Sequence, residues 1–489
     1  MKKYIAIDIG ASSGRLMESE LIDGQLTLQE VHRFKNEFRL LEGFQRWDIH
    51  YLIQEILIGL EKVKRNGTNH CFVGIDTWAV DYCLVDKTGG LLGEPIAYRD
   101  NRTKAAVEDF QRVMSLEKLY EKTGIQIQSF NTIFQLFVEK RELLEAADKL
   151  LLIPDYLGYV FTGRGVMEKT NASTMQLLNP GSESWDEELL NLVGIKKEQL
   201  PPLVDAGTIL GSLLKEKFVD FDLPDATFVS VASHDTASAI LGTPGQGSDW
   251  GYISSGTWSL LGIETTVANV SREAFSENYT NEWGAHNTIR FLKNIMGMWL
   301  IQETARMQKY EYSYPELAEL AAKEPPFQQF IDVNHHSFLN PDNMIAAIQD
   351  YCKATGQLVP ETPGAIARCI YDNLALCYAS ELEKLEQMTG TNEKINTLHI
   401  VGGGSNNKFL NQLTADAAQI EISAGPSEAT AIGNILMQMV AAKEFASIEE
   451  GRNCILKSFA FSKHLPQAFD RKVLEQYQKF IAEGAMKNE

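Results

Sequence analysis

The chain has 489 residues, of which 44% are hydrophobic, and it carries a formal net charge of −20 at pH 7. This length exceeds what a single hydrophobic core usually serves, so we expect at least two domains. The acidic balance argues against nucleic acid and anionic membrane surfaces as partners, because both are bound through clustered Lys and Arg. The sequence has no run of roughly 18 apolar residues, so no membrane span is expected. A small phosphate ligand stays possible, since backbone N–H groups and a metal ion can hold it.

The start of the chain and the cysteines bear on its location. Lys2 and Lys3 precede an apolar stretch, but Asp8 interrupts it after four residues, which is too short for a secretory signal. The six cysteines show no metal-ligand spacing and most lie in apolar surroundings, so we interpret them as reduced and structural. The expected location is cytoplasmic.

Residues 4–15, YIAIDIGASSGR, predict a buried strand followed by a loop of small residues. An antiparallel meander is expected to continue through residues 14–34. A helix over residues 47–65 and a second buried strand over residues 70–78 follow, and strands then alternate with helices. This alternation is typical of an α/β sheet with helices on its faces.

A similar pattern restarts near residue 250. Residues 250–267 again predict strand, Ser/Gly loop and strand, and residues 395–419 predict strand, glycine loop and helix. We found no residue-level repeat, so the likeness is one of pattern, and we favour two similar halves. The Gly-rich segment at residues 241–251 suits an exposed connection. It therefore predicts domains over residues 1–245 and 246–489.

Two hairpin loops, DIGASSGR at residues 8–15 and SSGTWS at residues 254–259, offer glycines and hydroxyls where backbone can approach an anion. A tight turn explains either loop alone. One in each half, with the glycine loop VGGGSNN at residues 401–407, predicts a phosphate cleft if the halves face each other. Asp8 is then placed to hold the water shell of a metal ion, unless it only ends its strand by bonding to its own loop. Neither the Walker nor the dinucleotide glycine signature is present.

Residues 228–242, FVSVASHDTASAILG, run from an apolar strand into a helix that starts near Ser233, His234 and Asp235. A Ser or Asp is expected there as a helix N-cap on structural grounds alone. Beside a phosphate cleft, Asp235 can also accept a hydroxyl proton during phosphoryl transfer. His234 is the other candidate and is better suited to hydrogen-bond a polyol.

The segment GIDTWAVD brings Asp76, Trp78 and Asp81 together at a strand end. A sugar site favours such an aromatic wall beside carboxylates, although tryptophans usually fill the core. The charged segment YRDNRT at residues 98–103 is either a solvated turn or a salt-bridged wall of the cleft.

Taken in chain order, these motifs resemble the FGGY carbohydrate kinases of the actin-like ATPase superfamily, over residues 4 to about 434. The resemblance implies two ribonuclease-H-like α/β domains with a central cleft that close over ATP and Mg²⁺. It further implies transfer of the γ-phosphate of ATP to the 1-hydroxyl of L-rhamnulose, in L-rhamnose catabolism. The segments that carry it are DIGASSGR, GIDTWAVD, YRDNRT, ASHDTASA, SSGTWSL, LKNIMGMWLIQE and LHIVGGGSNN.

The resemblance also implies roles for individual residues. Asp235 would be the base that takes the hydroxyl proton, and Asp8 would serve the magnesium. The remaining positions fall into two groups: for ATP, Ala11, Ser12, Ser13, Gly14, Arg15, Thr257, Gln302 and Gly404; for the sugar, Ala79, His234, Asp235, Thr236 and Asn294.

Ala79 departs from the family pattern, which has glycine there, so its methyl group affects the volume of the sugar pocket more than the chemistry. The alternatives are a kinase for a related ketose such as L-fuculose, and an actin-like ATPase that needs no base at Asp235. A sugar-sensing repressor would carry a helix-turn-helix or a cysteine zinc cluster at its start, which this sequence does not show. We expect a small-molecule sugar and ATP as partners, and a monomer or homodimer.

Overall fold

The computed structural model describes residues 2–390 and 394–485. The chain packs as two compact units, each assembled from separate segments. Of the described residues, the first unit comprises 2–244, 264–291 and 429–458, and the second comprises 245–263, 292–390, 394–428 and 459–485. The division into domains at residues 245 and 246 stays a prediction.

The elements alternate as an α/β chain does. Residues 2–245 form the strands β1 (Lys3–Ile9), β2 (Ser13–Ser19), β3 (Leu21–Ile22), β4 (Gln25–Leu26), β5 (Gln29–Lys35), β6 (Phe38–Leu41), β7 (Phe44–Trp47), β8 (His70–Thr77), β9 (Tyr82–Val85), β10 (Lys149–Leu152), β11 (Met167–Glu168), β12 (Leu178–Asn179), β13 (Ser184–Trp185), β14 (Leu203–Val204), β15 (Thr208–Ser212) and β16 (Asp225–Ser230). The helices of the same segment are α1 (Ile49–Arg65), α2 (Ala106–Gln111), α3 (Leu116–Thr123), α4 (Thr132–Phe137), α5 (Arg141–Ala146), α6 (Ile153–Thr162), α7 (Lys169–Ala172), α8 (Glu187–Val193) and α9 (Asp235–Leu241).

The rest of the described chain continues the series. Its strands are β17 (Trp250–Ser255), β18 (Trp258–Thr265), β19 (Thr280–Trp283), β20 (Ile289–Met296), β21 (Thr397–Val401), β22 (Glu421–Ala424) and β23 (Ser462–His464). Its helices are α10 (Arg272–Ser276), α11 (Trp299–Met307), α12 (Tyr314–Ala321), α13 (Met344–Ala354), α14 (Pro363–Thr389), α15 (Lys408–Ala418), α16 (Ala429–Ala441), α17 (Ile448–Ser458) and α18 (Arg471–Ala485).

The main sheet of the first unit has the strand order β15-β16-β8-β1-β2-β5. β1 and β2 form the predicted antiparallel hairpin, while β8 runs parallel to both β1 and β16. The carboxyl ends of three parallel strands therefore meet at one edge, where Asp8 of β1 lies opposite Asp76 of β8. Ligands of open α/β sheets bind beyond such an edge.

The second unit repeats this arrangement. Four neighbouring strands of its seven-stranded sheet follow the order β18-β17-β21-β22, in which β17 and β18 are antiparallel and β17, β21 and β22 are parallel. The order β2-β1-β8-β16 of the first unit has the same directions. The similar halves predicted from pattern alone are therefore present as equivalent strand orders.

Helix α1 illustrates why the sequence folds as it does. Asp48 caps its start by accepting a hydrogen bond from the Tyr51 backbone N–H at 3.0 Å, and basic residues fill its last turn, which suits the helix dipole. Leu52 and Leu60 belong to an apolar face that is fully buried against the sheet. Burial of each such side chain contributes about 1.5–3 kcal/mol, so Leu60→Ala would cost about 2–5 kcal/mol.

Helix α16 comes from the distant residues 429–441 but belongs to the first unit. It packs closely on α9, because a Cβ at Gly433 would lie 1.8 Å from the Ser238 carbonyl oxygen. A Cβ at Gly242 would lie 2.1 Å from the Ala429 carbonyl oxygen. Only glycines allow this approach, and it fixes the position of α9, whose first residue is Asp235.

All six cysteines are buried with free thiols. Within residues 2–390 and 394–485, every helix is too short or too polar to cross a membrane.

Candidate active site

The loop after β1 places Asp8 and Arg15 side by side. They occupy opposite positions of the β1–β2 hairpin, and the Arg15 Nη2 and Nε groups donate to Asp8 Oδ2 at 2.9 and 3.1 Å. Asn36 steadies the loop by donating from Nδ2 to the Gly10 carbonyl at 2.8 Å, while Ser12 at the tip is exposed. The loop thus presents a paired carboxylate and backbone that a ligand can approach.

Asp76 lies beside Asp8 on the neighbouring strand and is completely buried. Burial, reinforced by the charge of Asp8, raises the pKa of Asp76 well above its usual range. Its Oδ2 accepts from Asn434 Nδ2 of α16 at 2.5 Å. Gln438 Nε2 in turn donates to Asn434 Oδ1 at 2.7 Å and to the Ile5 carbonyl at 2.9 Å. This buried chain of side chains joins α16 to the edge of the sheet that carries the carboxylates.

Asp235 is the first residue of α9, at the position predicted from the sequence. Its Oδ1 accepts from the Thr236 backbone N–H at 2.6 Å and from Thr236 Oγ1 at 3.2 Å, and it lies 3.4 Å from His234 Nε2. Burial raises the pKa of Asp235 above its usual range, and the charge of Asp8 acts in the same direction. The side chain keeps 32% of its surface exposed. Asp235 is thus a carboxylate with raised basicity that a ligand can still reach.

Sequence reasoning missed Glu168, which holds the loop before α9. This fully buried carboxylate accepts from the Ser233 backbone N–H and Oγ, both at 2.9 Å, and from the backbone and hydroxyl of Thr170. The Ser233 carbonyl accepts from the Thr77 backbone N–H at 2.9 Å, which ties the loop to the end of β8. A lone glutamate followed by Lys, Thr and Asn was the only local signal of this role.

Sequence reasoning also missed the pair that holds His234. Arg290 is fully buried, and its Nη2 lies 3.0 Å from Glu282 Oε2 and 3.1 Å from His234 Nδ1. Burial alone would raise the pKa of Glu282, but Arg290 and His234 outweigh it and lower the pKa to about 2. The His234 Nδ1 atom also lies 3.3 Å from Glu282 Oε2, so Arg290 and Glu282 together hold the ring with Nε2 facing Asp235.

The GIDTWAVD segment forms a structural node. Asp81 Oδ2 accepts from the indole N–H groups of Trp47 and Trp78 at 2.6 and 2.9 Å, and Oδ1 accepts from Gln135 Nε2 at 3.0 Å. Burial raises the pKa of Asp81 to about 6, while these donors oppose the rise. The Trp47 and Trp78 ring centroids are 4.3 Å apart, and both side chains are buried. Trp78 is therefore core, as the ordinary interpretation of a tryptophan predicts, and Ala79 is the accessible position of the segment.

The charged segment at residues 98–103 is salt-bridged. Arg102 Nη1 lies 2.7 Å from Glu139 Oε2, and both side chains are largely buried. Asp100 accepts from the Gln45 backbone N–H at 2.8 Å. These contacts argue against a solvated turn, and a position of the segment in the wall of a cleft stays a prediction.

In the second unit, the hairpin between β17 and β18 lies against the start of α11. The Gly256 and Thr257 carbonyls accept from the Met298 and Trp299 backbone N–H groups at 3.2 and 3.1 Å. Thr257 Oγ1 donates to Gln302 Oε1 at 3.4 Å. Thr257 is exposed and Gln302 is half-buried, so both polar groups stay accessible.

The glycine loop after β21 reaches the same hairpin. A Cβ at Gly404 would lie 1.9 Å from Ser255 Oγ, and Gly402 has a positive φ of 81° with its Cβ position 2.9 Å from the Ser255 carbonyl oxygen. Only glycine fits this contact. The second unit therefore brings Thr257, Gln302 and Gly404 together, while Asn294 is a half-buried residue of β20.

The first unit brings together Asp8, Arg15, Asp76, His234 and Asp235. Within residues 2–390 and 394–485, the structure contains no group of three or more His, Cys, Asp or Glu side chains suited to hold a metal ion. A single carboxylate such as Asp8 is nevertheless compatible with Mg²⁺, which usually keeps several waters and binds one or two carboxylates together with substrate phosphates.

Two family models match the chain. The N-terminal domain of the FGGY family of carbohydrate kinases matches residues 3–242, and the C-terminal domain of that family matches residues 251–442. The chain therefore belongs to the FGGY family of carbohydrate kinases, which confirms the family predicted from the motifs.

Relatives within the family carry a more specific name. The chain is 63% identical over 486 residues to a protein named Rhamnulokinase from Enterococcus faecalis, covering 99% of this chain and 98% of the relative. It is 51% identical to a Rhamnulokinase from Bacillus subtilis, covering 99% and 100% of the two chains.

Solved structures share the fold at low identity. The ligand-bound xylulose kinase from Lactobacillus acidophilus superposes with a TM-score of 0.79 at 18% identity, covering 100% of this chain and 98% of that one. The glycerol kinase from Plasmodium falciparum with ADP gives 0.81 at 17% identity, covering 99% and 98%. The predicted fold class, the α/β actin-like ATPase fold of two-domain sugar kinases, is confirmed.

Proposed function

We propose that the chain transfers the γ-phosphate of ATP to the 1-hydroxyl of L-rhamnulose, giving L-rhamnulose 1-phosphate and ADP in L-rhamnose catabolism. The substrate is inferred from the full-length relatives named Rhamnulokinase. The single observation that carries the chemistry is Asp235, an accessible carboxylate of raised pKa at the head of a helix. The free thiols of all six cysteines favour the cytoplasm, and a monomer or homodimer stays a prediction.

Asp235 is the proposed general base. Its carboxylate accepts the proton of the sugar hydroxyl as the oxygen attacks the γ-phosphorus, and the bond to the leaving ADP oxygen breaks. The raised pKa supports this role because it makes the carboxylate a better proton acceptor than an ordinary aspartate. Thr236, by donating to Oδ1, keeps the carboxylate oriented.

His234 is the proposed hydrogen-bond donor to the sugar. The Arg290–Glu282 pair contacts Nδ1 and holds the ring with Nε2 toward Asp235. Ala79, Thr236 and Asn294 are the other proposed sugar contacts.

Two groups of residues are proposed to hold the nucleotide. In the first unit these are Ala11, Ser12, Ser13, Gly14 and Arg15, and in the second unit they are Thr257, Gln302 and Gly404. Both groups offer backbone N–H or hydroxyl donors, which suit phosphate oxygens. Asp8 is the proposed magnesium residue, and a bound Mg²⁺ supplies neutralisation of the phosphate charge.

A panel of substrates tests this proposal. ADP release is measured with L-rhamnulose, L-fuculose, L-xylulose, an aldose and glycerol, each with ATP and Mg²⁺. We expect the highest kcat/KM with L-rhamnulose. A higher value with L-fuculose would replace the substrate but keep the chemistry, since the Ala79 methyl group bears on the volume of the sugar pocket. Release of ADP that no sugar stimulates would instead indicate an ATPase and contradict the proposal.

A further inference from the structure

The backbone is strained at Val80. Its φ is +66°, and the Asp81 backbone N–H donates to the Ala79 carbonyl at 2.9 Å, which closes a three-residue turn around Val80. Positive φ is unusual for any residue with a side chain and is a true outlier for a β-branched one. Such strain persists only where the surroundings hold it, and it concentrates at functional sites.

The surroundings of Val80 do hold it. The Val80 carbonyl accepts from Thr132 Oγ1 at 2.6 Å and from Gln135 Nε2 at 3.4 Å, both of helix α4. The next residue, Asp81, is fixed by Gln135 and two indole N–H groups. Thr132 and Gln135 are themselves buried. The turn is therefore clamped on both sides of the strained residue.

The clamped turn contains one residue that is not buried, and two backbone N–H groups without an acceptor in the described residues. Ala79 is the only residue between 73 and 85 that is not buried. Within the described part of the chain, the backbone N–H groups of Ala79 and Val80 donate to no acceptor. The turn follows Thr77, which pairs with His234. Two adjacent backbone N–H donors therefore lie close in sequence to Thr77, which pairs with the proposed sugar residue His234.

We propose that Thr132 is a positioning residue for the sugar pocket, because its hydroxyl holds the strained turn at Val80. The clamp keeps the Ala79 and Val80 N–H groups directed at oxygen atoms of the ketose, and the strain makes the turn relax when the clamp is lost. This inference rests on the proposed function, since it assigns the turn to the same sugar pocket. Besides the contact proposed for Ala79, the inference assigns a role to the strained backbone conformation that the clamp holds.

Thr132→Val tests the clamp, because it removes the hydroxyl and keeps the shape. We expect the KM for the ketose to rise about five- to tenfold, with the KM for ATP unchanged within about twofold. Thr132→Ser restores a hydroxyl and should recover most of the affinity. Thr123→Val is the matched control, since Thr123 is equally buried and donates to the Leu119 carbonyl at 2.9 Å, and it should leave the ketose KM unchanged.

A double-mutant cycle with Val80→Gly tests the strain itself. Glycine adopts positive φ without penalty, so Val80→Gly removes the strain that would drive the turn to relax. In that background Thr132→Val should have almost no effect on the ketose KM, because nothing drives the turn to relax.

The outcomes separate the two proposals. Equal effects of Thr132→Val in both backgrounds, or no effect in the parent, would overturn the positioning role. A parent chain that phosphorylates no ketose would overturn the proposed function instead. Thermal unfolding of every variant is measured alongside, and a KM change in the Thr123→Val control would also count against the inference.

Discussion

The two units use equivalent strand orders to build regions of opposite chemical character. At the end of β1 the first unit places Asp8, next to Asp76 and Asp235, and holds these carboxylates with buried side chains. At the end of β17 the second unit places Ser255 and Gly256. The neighbouring Thr257, Gln302 and Gly404 contribute hydroxyl, amide and backbone groups, none of which is charged. The difference therefore lies in the residues after the strands and not in the fold.

The chemical difference between the two regions fits different roles in phosphoryl transfer. Proton transfer needs a carboxylate whose pKa has been shifted, which requires burial and charged neighbours. Holding a polyanion needs donors, and a carboxylate in the same place would repel it. The first unit is thus suited to the acid–base step beside its proposed phosphate loop at residues 11–15, whereas the second unit is suited to holding the nucleotide through uncharged groups.

Asp235→Asn should cause the largest loss of activity among these variants. The amide keeps the shape but cannot accept a proton, so we expect kcat to fall by about 10²- to 10⁴-fold. ATP binding should change little. Asp222→Asn is the control, since that side chain is 76% exposed and pairs only at the surface. Turnover close to normal in a coupled ADP assay would refute the role of Asp235.

Glu282→Gln should break the support of His234. The variant leaves the buried Arg290 without its counter-charge, which typically costs about 3–5 kcal/mol in the free energy of unfolding. In the parent, the pKa of Glu282 is lowered to about 2 from 4.5. Its contribution is therefore complete above pH 4.5 and is lost as the pH falls toward 2.

Glu30→Gln offers the comparison for that measurement. Glu30 pairs with Arg33 at the surface, and exposed pairs contribute about 0–1 kcal/mol. Denaturant unfolding at neutral pH measures both variants. Equal losses in the free energy of unfolding would show that the buried Glu282–Arg290 pair contributes no more to stability than the surface pair.

Thr257→Asp should remove the chemical difference between the two regions by a change in the second unit. It introduces a carboxylate into the neutral loop, so we expect the KM for ATP to rise about tenfold or more, while the KM for the sugar stays nearly constant. Thr257→Ser keeps the hydroxyl and serves as the matched control. An unchanged KM for ATP would remove Thr257 from the nucleotide site.

The sequence predicted the local features of both regions well. The hairpins after β1 and β17, the glycine loop after β21 and the start of α9 at Asp235 follow from turn chemistry and hydrophobic periodicity, which act over a few residues. The family followed from the order of these motifs. Asp235 was identifiable as the candidate base because its helix start lies in one short segment.

The supporting residues could not be predicted in the same way. Glu168 lies 65 residues from Ser233, and Arg290 lies 56 residues from His234. Contacts of this kind are set by how strands and helices pack, and local spacing carries no record of them. The positive φ of Val80 was hidden for the same reason, because its clamp comes from helix α4.

Asp76→Asn should produce the smallest effect of these variants, and it tests whether Asp76 is ionised in the folded protein. Burial raises the pKa of Asp76 above the ordinary value of 3.8, so the fold disfavours its charged form. The contribution of Asp76 to stability is therefore full below pH 3.8 and is lost as the pH rises through the raised pKa. Asparagine has no such titration and can still accept from Asn434. We expect the Tm of the variant to gain on that of the parent as the pH is raised from 5 to 8, with Asp222→Asn running parallel to the parent. Parallel curves for Asp76→Asn would mean that Asp76 is ionised throughout, and the region at the end of β1 would then contain a buried full charge.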